Sequence, residues 1–86
     1  MGYEVEITPE GLRHLNRLPE KIRAAVLETI FGSIAHDPVR TGKPLRGELE
    51  GLRTARRGEF RIVYEILEKE GVIHRAQHRR IVYRRR

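Results

Sequence analysis

The chain has 86 residues, no cysteine and a formal net charge of +6. This length predicts one domain, residues 1–86, with a core near the lower limit for independent folding, and the composition excludes disulfides and thiolate metal sites as sources of stability. No apolar run approaches the roughly 18 residues of a membrane-spanning helix and no apolar leader follows the start. We therefore expect a cytoplasmic protein without a membrane partner.

The first half of the chain predicts a strand followed by two helices. YEVEIT alternates apolar and acidic residues, which is typical of a half-buried strand. Thr8 and Pro9 then form a helix start, an N-cap residue followed by proline at the first helical position. Pro19 ends that helix, because the residue before a proline avoids the α conformation, and can begin a second helix that stops at His36–Pro38. Two helices joined this tightly form a hairpin.

The second half predicts a loop and three strands. Residues 39–51 contain three glycines and a proline and are expected to be a loop, and strand pattern resumes at about Leu52. A turn at Arg57–Glu59 precedes a strand whose apolar positions alternate: Phe60, Ile62, Tyr64 and Ile66. A second turn, Glu68–Gly71, leads to a short, polar strand near Val72–Gln77. The order β-α-α-β-β-β predicts an α+β fold, a small antiparallel sheet with the helical hairpin packed on one face.

Positive charge is concentrated in the second half. Residues 1–38 carry a net charge of −2 and residues 39–86 carry +8, and fifteen of the eighteen basic residues are arginine. Charge of one sign gathered in this way indicates binding to a polyanion, and planar guanidinium groups suit phosphates better than ammonium groups do. If the apolar residues of the strand face the helices, Arg61 points to the opposite face of the sheet with Val63 and Glu65. That face is expected to be open and basic.

The segment GKPLRGELEGLRTARRGEFRIVYEI, followed by HRRIVYRR, resembles the RelE branch of the RelE/ParE toxin superfamily. The resemblance extends from LPEKI to the end of the chain and rests on three motifs in order: K-P-L-R, A-R-R-G-x-F-R-I-V-Y and H-R-x-x-x-Y-R. It implies a RelE-like fold and a toxin of a bacterial type II toxin–antitoxin system. Most such toxins cut messenger RNA on the ribosome and are held inactive by an antitoxin protein.

The chemistry that this resemblance implies needs no cofactor and no metal. RNA supplies its own nucleophile, the 2′-hydroxyl, and the sequence offers no carboxylate cluster suited to Mg²⁺. By motif position, Arg61 and Arg79 are expected to bind the transition-state phosphate, and Tyr83 to stack on a base or take part in proton transfer. Two ordinary alternatives stay open: Arg61 could pair with Glu65 on the sheet, and Tyr83 could belong to the core.

One departure from the family pattern concerns the general base. Well-known ribosome-dependent members have two lysines where this chain has Leu52 and Thr54, with Arg53 between them as a remaining charged candidate. Arginine stays protonated and is a poor base, so His78 is a candidate replacement, because imidazole titrates near neutrality. The residues expected to bind RNA phosphates are Lys43, Arg46, Arg56 and Arg57.

Two other functions remain alternatives to the nuclease: a ParE-like inhibitor of DNA gyrase and a catalytically weak, RNA-binding toxin remnant. In each case the resemblance implies a complex with an antitoxin. The complement to the basic half would be an acidic, largely disordered segment that folds on binding. Such a segment could cover Arg61 and Arg79, or displace the tail Arg84–Arg86 together with Tyr83.

Overall fold

The computed structural model describes residues 2–84, in which helices pack on one face of a five-stranded sheet. The strands are β1 (Glu4–Ile7), β2 (Lys43–Pro44), β3 (Arg53–Arg57), β4 (Phe60–Leu67) and β5 (Glu70–His78). The helices are α1 (Pro9–Arg17), α2 (Glu20–Thr29) and the short α3 (Pro38–Thr41); α2 continues into a π-helical turn, Ile30–Ile34, and a 3₁₀ turn spans Gly47–Leu49. No helix within residues 2–84 is long and apolar enough to cross a bilayer.

The strand order is β1-β5-β4-β3-β2. The three pairs among β2, β3, β4 and β5 are antiparallel, whereas β1 lies parallel to β5. The predicted α+β class, with a two-helix hairpin on one face, is confirmed. The sheet is mixed rather than wholly antiparallel, because β1 pairs with the last strand of the chain, and only a crossover through the helices brings it there.

The start and the turn of the helical hairpin follow local chemistry. The Thr8 Oγ1 atom accepts a hydrogen bond of 3.0 Å from the Gly11 amide, and Pro9 is the first helical residue. Leu18 is extended, with φ −76° and ψ 143°, as expected of a residue before proline, so α1 ends there. The predicted helix boundaries at both positions are confirmed.

The core lies between the helices and the inner face of the sheet. Tyr64 on β4 is fully buried, and its hydroxyl donates a 2.6 Å hydrogen bond to the Pro38 carbonyl. This burial raises the pKa of Tyr64 above its usual value, although the nearby Arg53 opposes the shift. The other core residues come from both layers: Leu15, Leu18, Val26, Ile30, Ile34, Ala55, Ile62, Ile73 and Ala76.

The region 39–51 and the last strand differ from the prediction. The expected loop contains most of α3 and the whole of the edge strand β2, which pairs with β3 through Lys43–Thr54 and Pro44–Arg53. The last strand has nine residues instead of about six, and lies second from the edge. It remains paired with β4 along its length because a bulge opposite Val63 and Tyr64 corrects the register.

The C-terminal segment folds back onto the sheet. Val63 on β4 and Val82 are both fully buried, yet neither belongs to the main core cluster. Arg75 Nη1 donates hydrogen bonds to the carbonyls of Val82 and Arg84, at 2.6 and 3.2 Å. These contacts indicate that residues 79–84 cover the middle of the sheet on the side away from the helices, so the predicted open face is only partly open.

Candidate active site

The hairpin of β3 and β4 sorts its arginines between the two faces of the sheet. Arg56 and Arg61 are directly opposite each other, and both point away from the helices because the next pair, Ala55 and Ile62, is in the core. Like charges in opposite positions destabilise a sheet, so a bound anion would relieve their repulsion. We call this surface the distal face; its residues on β3, β4 and β5 are Thr54, Arg56, Arg61, Val63, Glu65, Arg75 and Gln77.

The guanidinium of Arg61 is positioned by the turn between β3 and β4. Its Nη1 atom donates to the carbonyls of Gly58, at 3.0 Å, and Phe60, at 3.1 Å. Glu65, the alternative partner that the sequence left open, instead pairs with His74, whose Nε2 atom lies 3.0 Å from Glu65 Oε1. Arg61 is thus oriented by backbone carbonyls, which leave its positive charge unneutralised.

Arg79 lies at the same end of the sheet as Arg61. Its backbone amide donates to the Glu59 carbonyl at 2.8 Å, which extends the β4–β5 ladder by one step, and its Nε atom lies 2.9 Å from the Glu59 carboxylate. The two side chains are 52% and 64% exposed, so this ion pair is held weakly. An incoming phosphate can compete with Glu59 for the Arg79 guanidinium.

Tyr83 lies on the distal face rather than in the core. Its side chain is 40% exposed, and its hydroxyl lies 2.8 Å from Thr54 Oγ1. Lys43 on β2 is opposite Thr54, so its exposed side chain shares that face. Arg46 and Tyr83 line the same shallow cavity of about 300 Å³. The structure therefore brings two of the predicted RNA-binding residues to Tyr83.

Arg53 and Arg57 are directed to the other side of the sheet, which corrects the expectation that they join the site. Arg53 Nη2 donates to the carbonyls of Val39, at 2.6 Å, and Gly42, at 2.8 Å. Arg57 donates to Thr29 Oγ1 at 3.0 Å and lies 2.9 Å from the Glu28 carboxylate. The physical reason is the two-residue period of a strand: both residues flank the core residue Ala55 at a spacing of two.

His78 also lies on the helix side of the sheet and not beside Arg61. It is paired with Phe60, and the two rings meet edge to face with centroids 5.4 Å apart. Its Nδ1 atom accepts a 3.1 Å hydrogen bond from the Arg80 amide. This placement does not support His78 as the general base for a phosphate at Arg61.

Two features of β5 were missed from the sequence, the pair of His74 with Glu65 and the position of Arg75. His74 is the residue that the bulge inserts, so its direction cannot be read from simple alternation. His74 and His78 stand four residues apart, a spacing that aligns two ligands on a helix, but on this strand they face opposite sides of the sheet. Within residues 2–84, no three His, Cys, Asp or Glu side chains are grouped to hold a metal.

Residues 5–84 match the family model of the ParE toxin of type II toxin–antitoxin systems. Two curated relatives are toxins of Mycobacterium tuberculosis. Toxin RelG is 46% identical over 87 aligned residues, which cover 99% of this chain and 100% of that protein. Toxin RelE is 56% identical over 64 residues, which cover 74% of this chain and 66% of that protein, just under two thirds of its length.

The similar solved structures are also of toxins or toxin–antitoxin complexes. A chain of the M. tuberculosis toxin–antitoxin complex RelBE2 is 44% identical, with a TM-score of 0.87 and coverage of 91% of this chain and 92% of that one. A chain of the Pyrococcus horikoshii RelE–RelB complex is 25% identical, with a TM-score of 0.70 and coverage of 92% and 97%. The isolated Escherichia coli RelE toxin has the same fold at 16% identity, with a TM-score of 0.71 and coverage of 88% and 83%.

Proposed function

Because this chain belongs to the ParE toxin family of type II toxin–antitoxin systems and is RelE-like, we propose that it is an endoribonuclease that cuts messenger RNA, on the ribosome, without a metal ion. One observation carries this proposal: Arg56, Arg61 and Arg79 gather at one end of the distal face, and Tyr83 lies on the same face. Arginines held on a rigid sheet suit a reaction whose transition state gathers negative charge on phosphate oxygens.

The proposed reaction is an internal transesterification. The 2′-oxygen of one nucleotide forms a bond to the adjacent phosphorus, and the bond from that phosphorus to the 5′-oxygen of the next nucleotide breaks. The 2′-hydroxyl gives up a proton, and the leaving 5′-oxygen takes its bonding electrons and gains a proton. The products are a 2′,3′-cyclic phosphate and a free 5′-hydroxyl. The protein supplies alignment, charge and proton transfer.

Arg61 and Arg79 would neutralise the extra charge of the phosphorane. Removing one oriented donor of this kind costs about 3–4 kcal/mol of transition-state stabilisation in other enzymes. Arg61 fits the role because backbone carbonyls hold it in place. Arg79 fits because the phosphate can replace its exposed partner Glu59.

Proton transfer would fall to groups at the Tyr83 end of the face. The hydrogen bond between Tyr83 and Thr54 holds the phenol hydroxyl beside the strand, and Lys43 is on the same face across from Thr54. Lys43 thus places one lysine on this surface, although the two lysines of well-known family members are absent from positions 52 and 54 of this chain. We assign the proton transfers to Tyr83 and Lys43, with Arg46 and Arg56 holding flanking phosphates.

The family supports a proposal about the cellular setting. A nuclease of this kind acts in the cytoplasm, where its substrate is translated, and needs a cognate antitoxin. Related chains were solved in the toxin–antitoxin complex RelBE2 of M. tuberculosis and in the RelE–RelB complex of P. horikoshii. The antitoxin either covers Arg61 and Arg79 or lifts Tyr83 and Arg84 from the sheet; Arg85 and Arg86 lie outside the described residues.

The test is cleavage by purified chain that has been released from its antitoxin. Primer extension on ribosomes programmed with a defined message is expected to show cuts inside codons. Arg61→Ala should slow cleavage about 100–1,000-fold with an unchanged circular dichroism spectrum. The matched control is Arg40→Ala, which removes an equal charge from an exposed side chain on α3.

Each other outcome assigns a different function. Wild-type chain that leaves messages intact but blocks DNA supercoiling would identify a ParE-like gyrase inhibitor. A chain that neither cuts messages nor blocks supercoiling, but still binds its antitoxin, would be a catalytically weak toxin remnant. If Arg61→Ala and Arg40→Ala cut at the wild-type rate, Arg61 is not part of the site.

A further inference from the structure

A groove runs along the outer edge of β5, beyond the point where β1 stops. Strand β1 pairs with β5 only as far as Ile73, so residues 74–78 have no strand on that side. Helix α1 lies there instead, and its His14 Nδ1 accepts a buried 3.2 Å hydrogen bond from the Ala76 amide. The C-terminal segment forms the opposite wall through Ile81 and Arg84. We call this cleft the edge groove.

The edge groove has a cationic half and an apolar half. A cavity of about 440 Å³ is lined by Arg13 and Arg17 of α1 together with Arg75 and Arg84. An adjoining cavity of about 260 Å³ shares His14, Arg17, Gln77 and Ile81 with the first and is otherwise walled by Leu18, Pro19, Phe60, Ala76 and His78. The first half suits a phosphate, and the second suits a nucleoside set against Ile81 and the Phe60–His78 ring pair.

The cationic half carries more positive charge than the acid in it can neutralise. Arg13 and Arg17 stand four residues apart on α1, where like charges weaken a helix. Four guanidinium groups share the cavity with one acid, Glu10, which also lies 3.8 Å from His14. Arg75 is already oriented by two carbonyls. Oriented guanidinium groups around a cavity are a recurrent way to hold phosphate oxygens.

The edge groove adjoins the candidate active site. Gln77 lines both cavities, and it is the cross-strand partner of Arg61. Adjacent strands are about 4.8 Å apart, so a chain that passes Arg61 enters the groove within one strand spacing. Resting on the proposed nuclease function, we propose that the edge groove is a second RNA subsite, which binds a backbone phosphate and the nucleoside next to the cleaved bond.

An acidic protein segment is the competing occupant. A docked amphipathic helix needs a continuous hydrophobic groove for its apolar face, whereas Pro19 and Ile81 are the exposed apolar residues among those that line the two described cavities. Two compact cavities, one cationic and one apolar, match the two parts of a nucleotide better. The structure therefore favours RNA.

The experiment compares Arg13→Ala/Arg17→Ala with Arg40→Ala/Lys69→Ala, two double variants that lose the same charge from exposed side chains. The probe is a fluorescein-labelled hexanucleotide with 2′-O-methyl groups, which cannot be cut. We expect the groove variant to bind the probe about tenfold more weakly, and its log–log salt slope to fall by about 0.7, the value for one phosphate contact on a single strand. The control variant should keep the wild-type slope.

Further arms identify the source of the anion. Inorganic phosphate should shift the amide resonances of Ile81 and Arg84 in the wild-type chain and compete with the probe. If phosphate binds but the groove variant holds the probe as tightly as wild type does, the groove takes a small anion and the RNA subsite is rejected. If the groove variant loses affinity for antitoxin but not for the probe, the occupant is an acidic protein segment.

The outcome is separable from that of the proposed function. Cleavage that depends on Arg61 while the groove variant binds RNA normally would leave the nuclease in place and reject the subsite. A wild-type chain that neither binds nor cuts RNA would reject the nuclease, and with it this subsite. Equal losses in the groove variant and in the control would mean that net charge alone sets the affinity, which also rejects the subsite.

Discussion

Neighbouring arginines have opposite roles in this protein. Arg53 donates to two carbonyls at the end of α3, and its Nε atom is buried without a hydrogen-bond partner. Arg56, three residues later, is exposed on the distal face. The two side chains have the same chemistry, and only the direction that the strand imposes makes one structural and leaves the other exposed on the distal face.

This division predicts a contrast between two alanine substitutions. Arg53→Ala should lower the free energy of unfolding by about 1–3 kcal/mol, because the carbonyls of Val39 and Gly42 lose a charged donor. Arg56→Ala should leave stability within about 0.5 kcal/mol of wild type and weaken RNA binding instead. Urea denaturation checks both. Wild-type stability in Arg53→Ala, together with lost cleavage, would restore Arg53 to the catalytic site.

Tyr64 predicts a pH dependence of stability. Burial raises its pKa in the folded state above 10.0, the ordinary value, so the folded state holds the proton more tightly than the unfolded state does. The contribution of Tyr64 is therefore complete below pH 10 and is lost as pH rises from about 10 through the folded-state pKa. Denaturation between pH 8 and pH 11 should show this loss.

Tyr64→Phe tests the source of that slope. It removes the hydrogen bond to the Pro38 carbonyl at a cost of about 1 kcal/mol at neutral pH, and it should flatten the fall in stability above pH 10. Arg40→Ala is the control, because it changes an exposed side chain on α3 and leaves Tyr64 in place. A slope that survives in Tyr64→Phe would have to come from another group.

At the level of elements, the segment from α3 to β2 is positioned by the close approach of the Gly42 backbone to β3 and β4. Gly42 lies so near β3 that a Cβ atom added there would stand 2.5 Å from the Thr54 carbonyl oxygen and 2.5 Å from the Tyr64 hydroxyl. Its φ of −120° is open to any residue, so the reason for glycine is space and not conformation. This contact lets β2 pair with β3 and carries Lys43 to the distal face.

Gly42→Ala should therefore lower the free energy of unfolding by about 2–3 kcal/mol and also impair cleavage, because Lys43 moves with β2. The matched control is Gly32→Ala in the π-helical turn, where an added Cβ atom would meet no atom within 4 Å beyond the local helix backbone. The control should be neutral or more stable by up to about 1 kcal/mol. Equal thermal midpoints for the two variants would contradict the steric argument.

At the scale of the whole molecule, the arginines of the basic half divide into two groups, one directed to the helix side of the sheet and one on the distal face. Arg53 and Arg57 are bound to groups on the helix side and do not add to the distal face. Five basic side chains remain available there: Lys43, Arg46, Arg56, Arg61 and Arg79. The number of phosphate contacts on this face is thus smaller than the sequence suggests.

This count predicts the salt dependence of RNA binding. Five phosphate contacts on a single strand give a log–log slope of about −3.5, measured with a probe that spans the distal face but does not reach the edge groove. Arg57→Ala should not change the slope, since that side chain points to the helix side of the sheet, whereas Arg56→Ala should reduce it by about 0.7. A slope near zero for the wild-type chain would show that the distal arginines do not contact phosphates.

The sequence by itself determined whatever depends on local chemistry and on period. Thr8 and Pro9 set the helix start, the dipeptide Leu18–Pro19 set its end, and alternation in β4 determined that Arg61 and the core residues occupy opposite faces. These features depend only on the conformational limits of each residue type and on the two-residue repeat of a strand, and both can be read directly from the sequence.

Tertiary structure alone decided which partners meet. The bulge beside Val63 sends His74 to Glu65, the parallel pairing of β1 leaves the far edge of β5 to α1, and the C-terminal segment brings Tyr83 to Thr54. The orientation of Arg53 and Arg57 was readable in principle from their spacing around Ala55, but only if Ala55 was known to be core. Long-range register depends on the packing of the whole chain, because each pairing competes with alternatives that have the same local pattern.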